Sequence, residues 1–165
     1  MTINNLQELY VHELQDNYSA NGQMIKVVGE LRAKASHEQL QQMLDKSVEK
    51  IREHNERIAQ LVRAEGEDPD EEHCKGMEGL VKEARKHGID EDYGDPAVRD
   101  AAIIAQMQRM THYGICGIGC AKAFAQALGK DDAVRELERD LGDIYSGDKY
   151  LTRIAESKVN EDAAA

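Results

Sequence analysis

The sequence has no tryptophan, one phenylalanine, two prolines and three cysteines in 165 residues, and its 21 Lys and Arg are outnumbered by 32 Asp and Glu. Each shortage excludes something. With six tyrosines as the rest of the aromatic complement, the core must be aliphatic and rich in Met and Ala. A formal charge of −11 and few stacking side chains disfavour nucleic acid, whose phosphates are bound by clusters of Lys and Arg, and disfavour anionic membranes for the same reason. The longest apolar run, near residues 114–121, is far short of the roughly 20 residues of a membrane span. The opening MTINNLQELY has neither a basic nor an apolar leader segment, so the expected compartment is the cytoplasm. Cys74, Cys116 and Cys120 form no even framework, which fits a reducing environment.

What the sequence has is helical periodicity. A mean hydropathy of −0.66 would suit a disordered chain, but apolar residues recur at helix spacing in four blocks, beginning at Leu6, Leu40, Ile103 and Val134. Strand alternation is absent. Pro69 and Pro96 both lie in polar loop text, leaving 1–68 and 97–165 free of the strongest helix breaker. Ser36-His37-Glu38-Gln39 reads as a capping box, Asp95-Pro96 as an N-cap followed by proline at the first helical position, and Gly129 as a C-terminal stop. These signals predict helices over about 3–33, 37–65, 97–128 and 131–157, with a shorter one at about 74–87. Two long hairpins joined by one long crossover is the layout of a ferritin-like antiparallel four-helix bundle. The expected architecture is all-α, one domain over 1–165, with a short additional helix in the crossover and a frayed tail over about 158–165.

Three stretches carry a resemblance beyond periodicity. They are His73-Cys74-Lys75-Gly76-Met77-Glu78-Gly79-Leu80, then Asp95-Pro96-Ala97-Val98-Arg99-Asp100-Ala101-Ala102-Ile103-Ile104-Ala105, then His112-Tyr113. With the opening Glu13-Leu14-Gln15-Asp16-Asn17-Tyr18-Ser19-Ala20, the chain resembles the YciE/YciF family of bacterial ferritin-like stress-response proteins, over about residues 5–157 and in the family's order. The resemblance implies a stress-associated cytoplasmic protein, a ferritin-like bundle with a short fifth helix, a homodimer, and a di-metal centre of iron or manganese inside the bundle.

The resemblance breaks at that centre. The family's patterns YSAEK, EETxxQ, HYE and EEKxxD stand here as Tyr18-Ser19-Ala20-Asn21-Gly22, Glu49-Lys50-Ile51-Arg52-Glu53-His54, His112-Tyr113-Gly114 and Asp143-Ile144-Tyr145-Ser146-Gly147-Asp148. The positions implied as carboxylate ligands hold Asn21, Lys50, Gly114 and Ile144. The steps from 21 to 50 and from 114 to 144 are nearly equal, so the two hairpins bring these positions to one level. Of the ligand types, His54, Asp148, Glu49 and Asp143 remain as residual metal candidates. The expectation is a degenerate di-metal site with no cofactor and no catalytic residue. Lys50 would then supply an ammonium, paired with Asp148 and the flanking acids, in place of the cation.

Other features read more plainly. His12-Glu13-Leu14-Gln15-Asp16 begins like a zinc-protease helix but has Asp where the second His is needed. His54, on an apolar stripe, is expected to bond Asn17 or Asp148 across the bundle, or else to ligate a metal. Cys116 and Cys120, with Gly114, Gly117 and Gly119, make a small face that suits tight packing, including at a subunit interface, more than redox chemistry. The acidic run 65–72 lacks the ligand spacing of a calcium loop. Three readings follow: a non-catalytic bundle acting through assembly or partner binding; an iron- or manganese-dependent redox or peroxide-handling protein with a reduced site at His54, Asp148, Glu49 and Asp143; and a bundle holding a lipid or small hydrophobic ligand between its hairpins.

Overall fold

A computed structural model describes residues 2–165; most of them are helical, and there is no strand among them. The chain runs α1 (Leu6–Lys34), α2 (Glu38–Ala64), a 3-10 turn (Pro69–Glu71), α3 (Lys75–Arg85), α4 (Pro96–Ala127), α5 (Asp131–Ile154) and α6 (Asn160–Ala164). Lys86–Asp90 and Ala155–Val159 widen into π turns. Among the described residues no helix is long and apolar enough to cross a membrane.

Each boundary has a chemical cause. Asn5 caps α1 by accepting from the Glu8 amide, and Asp95 caps α4 by accepting from the Ala97 amide at 2.7 Å, with Pro96 in the first turn where its missing N–H costs nothing. Gly129, at φ +69°, turns the chain out of α4 in a conformation that glycine adopts without a Cβ penalty. The capping box expected at the start of α2 is not formed. His37 occupies the cap position and makes no side-chain cap bond. The carboxylate of Asp100, from the first turns of α4, accepts instead from the Ser36 amide (2.8 Å), the Ser36 hydroxyl (2.6 Å) and the His37 amide (2.8 Å). The tail expected to fray from residue 158 is helical through Ala164. The π turn rotates Val159 into the core, where it is 1% exposed and holds the segment against α4.

Four long helices pack as neighbours in the order α2, α1, α4, α5, with α2 also meeting α5. Every neighbouring pair runs antiparallel: Asn17 of α1 lies against Gly117 of α4, and His54 and Arg57 of α2 face Asp143 and Asp140 of α5. The apolar stripes make two core clusters. One joins the C-terminal half of α1, the N-terminal halves of α2 and α4, α3 and the end of α5. The other joins the opposite halves around Tyr10, Leu14, Ile58, Ile118 and Leu137. Between them the stripes are interrupted by buried polar residues, among them Asn17, Asn21, His54 and Asp140.

Candidate functional site

At the level of that polar layer a cavity of about 490 Å³ opens between α2 and α5. Asn21, Lys50, Gly114 and Ile144 all line it, as do His54, Asp143 and Asp148. Two absent side chains help to leave the space. A Cβ on Gly114 would meet nothing within 4 Å, and one on Gly147 would meet only the Met43 methyl at 3.3 Å. Glu49 is exposed and lies outside the wall.

The charges in the wall are largely spent on one another. His54 is 4% exposed, and its Nε2 lies 3.4 Å from Asp143 Oδ2 and 3.7 Å from Asp140 Oδ1. It bonds neither Asn17 nor Asp148, the partners expected from sequence. The Asn17 amide is turned along α1 onto the Glu13 carbonyl at 2.7 Å. Lys50 also differs from expectation. Its side chain is 41% exposed, and its Nζ reaches Asp143 (3.5 Å), one of the flanking acids expected, and Glu53 (2.9 Å), but not Asp148. It is a shared surface cation, not a buried one. Asp148 bonds across to α4, accepting from Gln108 at 3.1 Å and facing His112 Nε2 at 3.1 Å. Burial alone would raise the Asp143 carboxyl, but His54 and Lys50 together hold it below its usual range.

Asp140 completes the layer and was not legible in the sequence. It is fully buried and held by Arg57, whose Nε lies 2.7 Å away. Burial pushes its carboxyl up despite the opposing pull of Arg57 and His54. Its Oδ2 and the Asn21 Nδ2 are buried without hydrogen-bond partners among the described residues.

These donors do not fit a di-metal centre. Two hard cations between four helices need about six converging carboxylate and imidazole ligands. Here the four inward positions offer an amide, an ammonium, a glycine and an isoleucine, and the remaining acids are engaged by His54, Lys50, Arg57 and His112. Among the described residues no group of three or more His, Cys, Asp and Glu is placed to hold an ion.

The stretches that carry the resemblance do other work. Cys74, fully buried, caps α3 by accepting from the Met77 amide at 3.3 Å. Its Sγ lies 3.1 Å from the Tyr113 hydroxyl, which donates to Asp16 at 3.2 Å. The Cys74 amide donates to Ser19 Oγ, and its carbonyl accepts from Gln23. Gly76 lets Tyr113 approach, since a Cβ there would stand 2.6 Å from the phenolic oxygen. These bonds fasten the crossover onto α1 and α4, as Asp100 fastens the α1–α2 corner. Burial raises both the Cys74 thiol and the Tyr113 phenol above their ordinary ranges. Of the small face on α4, only Gly117 is at a close approach, against the Asn17 side chain, and Cys116 and Cys120 are exposed. His12 lies 3.6 Å from Glu72, and burial pushes the Glu13 carboxyl up.

Residues 5–164 match the pattern of a domain of unknown function, DUF892. The chain is 32% identical to protein YciF of Escherichia coli K12 over 164 residues, 99% of this chain and 98% of that one. The crystal structure of the E. coli stress protein YciF superposes with a TM-score of 0.88 at 31% identity, covering 96% of this chain and 99% of that chain. YcfI, proposed to be a structural protein in Rhodopseudomonas palustris, superposes with a TM-score of 0.85 at 32% identity, over 91% of this chain and 94% of that one. By its match along almost the whole chain, this protein belongs to the DUF892 family.

Proposed function

We propose that this protein is a stress-associated, ferritin-like bundle of one domain, with a degenerate di-metal site, that acts in the cytoplasm as a homodimer through assembly or partner binding rather than catalysis. The observation that carries this reading is the composition of one cavity wall: Asn21, Lys50, Gly114 and Ile144 stand together where a metal cage would need carboxylates. The nearest acids are already engaged by His54, Lys50 and His112. Antiparallel neighbours joined by a single long crossover support the ferritin-like layout. The stress association rests on similarity to YciF, itself described as a stress protein.

Metal analysis of protein purified without chelator tests the reading. The expected result is no stoichiometric iron, manganese or zinc. About two metal ions per chain would overturn it. Sedimentation of the same sample tests the dimer, and a monomer at all concentrations would remove assembly from the proposal.

A further inference from the structure

We propose that the cavity between α2 and α5 is a binding site for a medium-chain carboxylate, with the acyl tail among the methionines and the carboxylate between Lys46 and Arg153. The inference rests on the metal-free reading of this layer and goes beyond it by assigning an occupant.

Size and lining select the tail. A volume of about 490 Å³ falls within the roughly 300–1,000 Å³ of small-molecule sites. The apolar part of the wall is built mainly from Met24, Met43, Met107, Met110, Ile51 and Leu151. Flexible thioethers adapt to an alkyl chain without the fixed shape of a branched or aromatic wall.

Charge selects the head. Asp143 is held by His54 and Lys50, Asp148 by His112 and Gln108, and the Lys50 charge is divided between Glu53 and Asp143. Lys46 and Arg153 also line the cavity, are exposed, and have no ion-pair partner among the described residues. On a chain of net charge −11, the two lining side chains left without an ion-pair partner among the described residues are therefore both cations. A carboxylate there would complete two ion pairs. A cationic head would be repelled, and a neutral one would forgo both pairs.

The two ends set a length. Lys46 and His54 are two turns apart on α2, about 12 Å along the helix axis. That matches an extended chain of roughly ten carbons at the ~1.25 Å rise given by tetrahedral C–C bonds. A much longer tail would press its end against the unpartnered amide of Asn21 and the polar His54–Asp143 pair, where apolar contact gains nothing.

Isothermal titration calorimetry of the full chain with decanoate, below its micellar concentration, tests the site. Decanol, decyltrimethylammonium and acetate serve as probes of head and tail. The expected result is saturable binding of one decanoate per chain, at least tenfold weaker binding of decanol, and none of the ammonium amphiphile or acetate. K46E/R153E, two exposed changes, should weaken decanoate at least tenfold with an unchanged circular dichroism spectrum. Gly114→Leu should abolish binding while the fold persists, because its side chain enters open space. Absence of saturable binding, equal binding of all three head groups, or decanoate binding undiminished in both variants would overturn the inference. Metal found in the purified protein would overturn the metal-free reading whatever decanoate does, whereas failure of decanoate to bind metal-free protein overturns this assignment alone.

Discussion

Two groups of polar side chains enter the interior, and they are finished differently. Around the crossover, the carboxylates of Asp16 and Asp100 are taken up by hydroxyl and backbone donors, and Cys74 bonds through its thiol, its amide and its carbonyl. In the layer between the two core clusters, Asp140 and Asp143 are paired with Arg57 and Lys50, but Asn21 Nδ2, which lines the cavity, and Asp140 Oδ2 stay unpartnered. A buried polar group without a partner costs roughly 1–3 kcal/mol. The first group therefore contributes to stability, while the second carries a cost that a hydrogen-bond partner would have removed. Asp16, Cys74, Asp100 and Tyr113, from the stretches that carry the resemblance, are in the first group, and Asn21 is in the second.

The sharpest way to break this contrast is Asp100→Ala. It removes three accepted bonds from a side chain that is 1% exposed, and should cost about 3 kcal/mol, read as a lower midpoint in urea unfolding. A loss within error of wild type would show that the corner does not depend on this carboxylate.

Two glycines one turn apart on α4 give a smaller and more pointed test. A Cβ at position 117 collides with the Asn17 side chain, so Gly117→Ala should destabilise by about 1–3 kcal/mol. A Cβ at 114 meets nothing, so Gly114→Ala should stabilise by about 0.5–1 kcal/mol through lower backbone entropy in the unfolded chain. Thermal unfolding of both variants should give shifts of opposite sign. Shifts of the same sign would place the two glycines in one environment.

The smallest effect is a pH dependence on the alkaline side. Burial raises the Cys74 thiol and the Tyr113 phenol in the folded state. The folded protein then keeps protons that the unfolded chain loses. Their contribution is complete below the unfolded values near 9 and 10 and is lost as pH rises from there through the raised folded values. Stability should fall above about pH 9, and Cys74→Ser/Tyr113→Phe should flatten that fall. The same burial predicts that a thiol reagent titrates two cysteines, Cys116 and Cys120, in native protein, with Cys74 reacting only on unfolding. Three rapid equivalents would sink it.

Much of this fold was legible in the sequence because helix signals are local. The apolar repeats, Asp95-Pro96 and Gly129 placed the long helices to within a few residues of those observed. Signals that depend on a distant partner were not. Ser36-His37-Glu38-Gln39 has the letters of a capping box, yet a carboxylate more than sixty residues away competes for the same donors and wins. Val159 sits past the end of the apolar pattern because a π turn, which has no sequence period, rotates it inward. At the candidate site, the alignment of 21, 50, 114 and 144 on one wall could be read from the equal steps within the hairpins. The partners of His54 could not, nor could the Glu53 partner of Lys50, since they depend on which of several nearby acids each rotamer reaches. Asp140 and Arg57 gave no local signal at all, an acid and a base among many.

The Asp100 bonds also bear on how the chain folds. The corner between the first two helices is completed by the first turns of the fourth, so the first hairpin made alone would leave the Ser36 and His37 amides unserved. Neither hairpin is then an independent unit: each gains its full stability only when the crossover has delivered the other. Formation of the bundle waits on a contact of long sequence separation, which slows folding and makes unfolding a single cooperative event rather than the loss of one hairpin at a time.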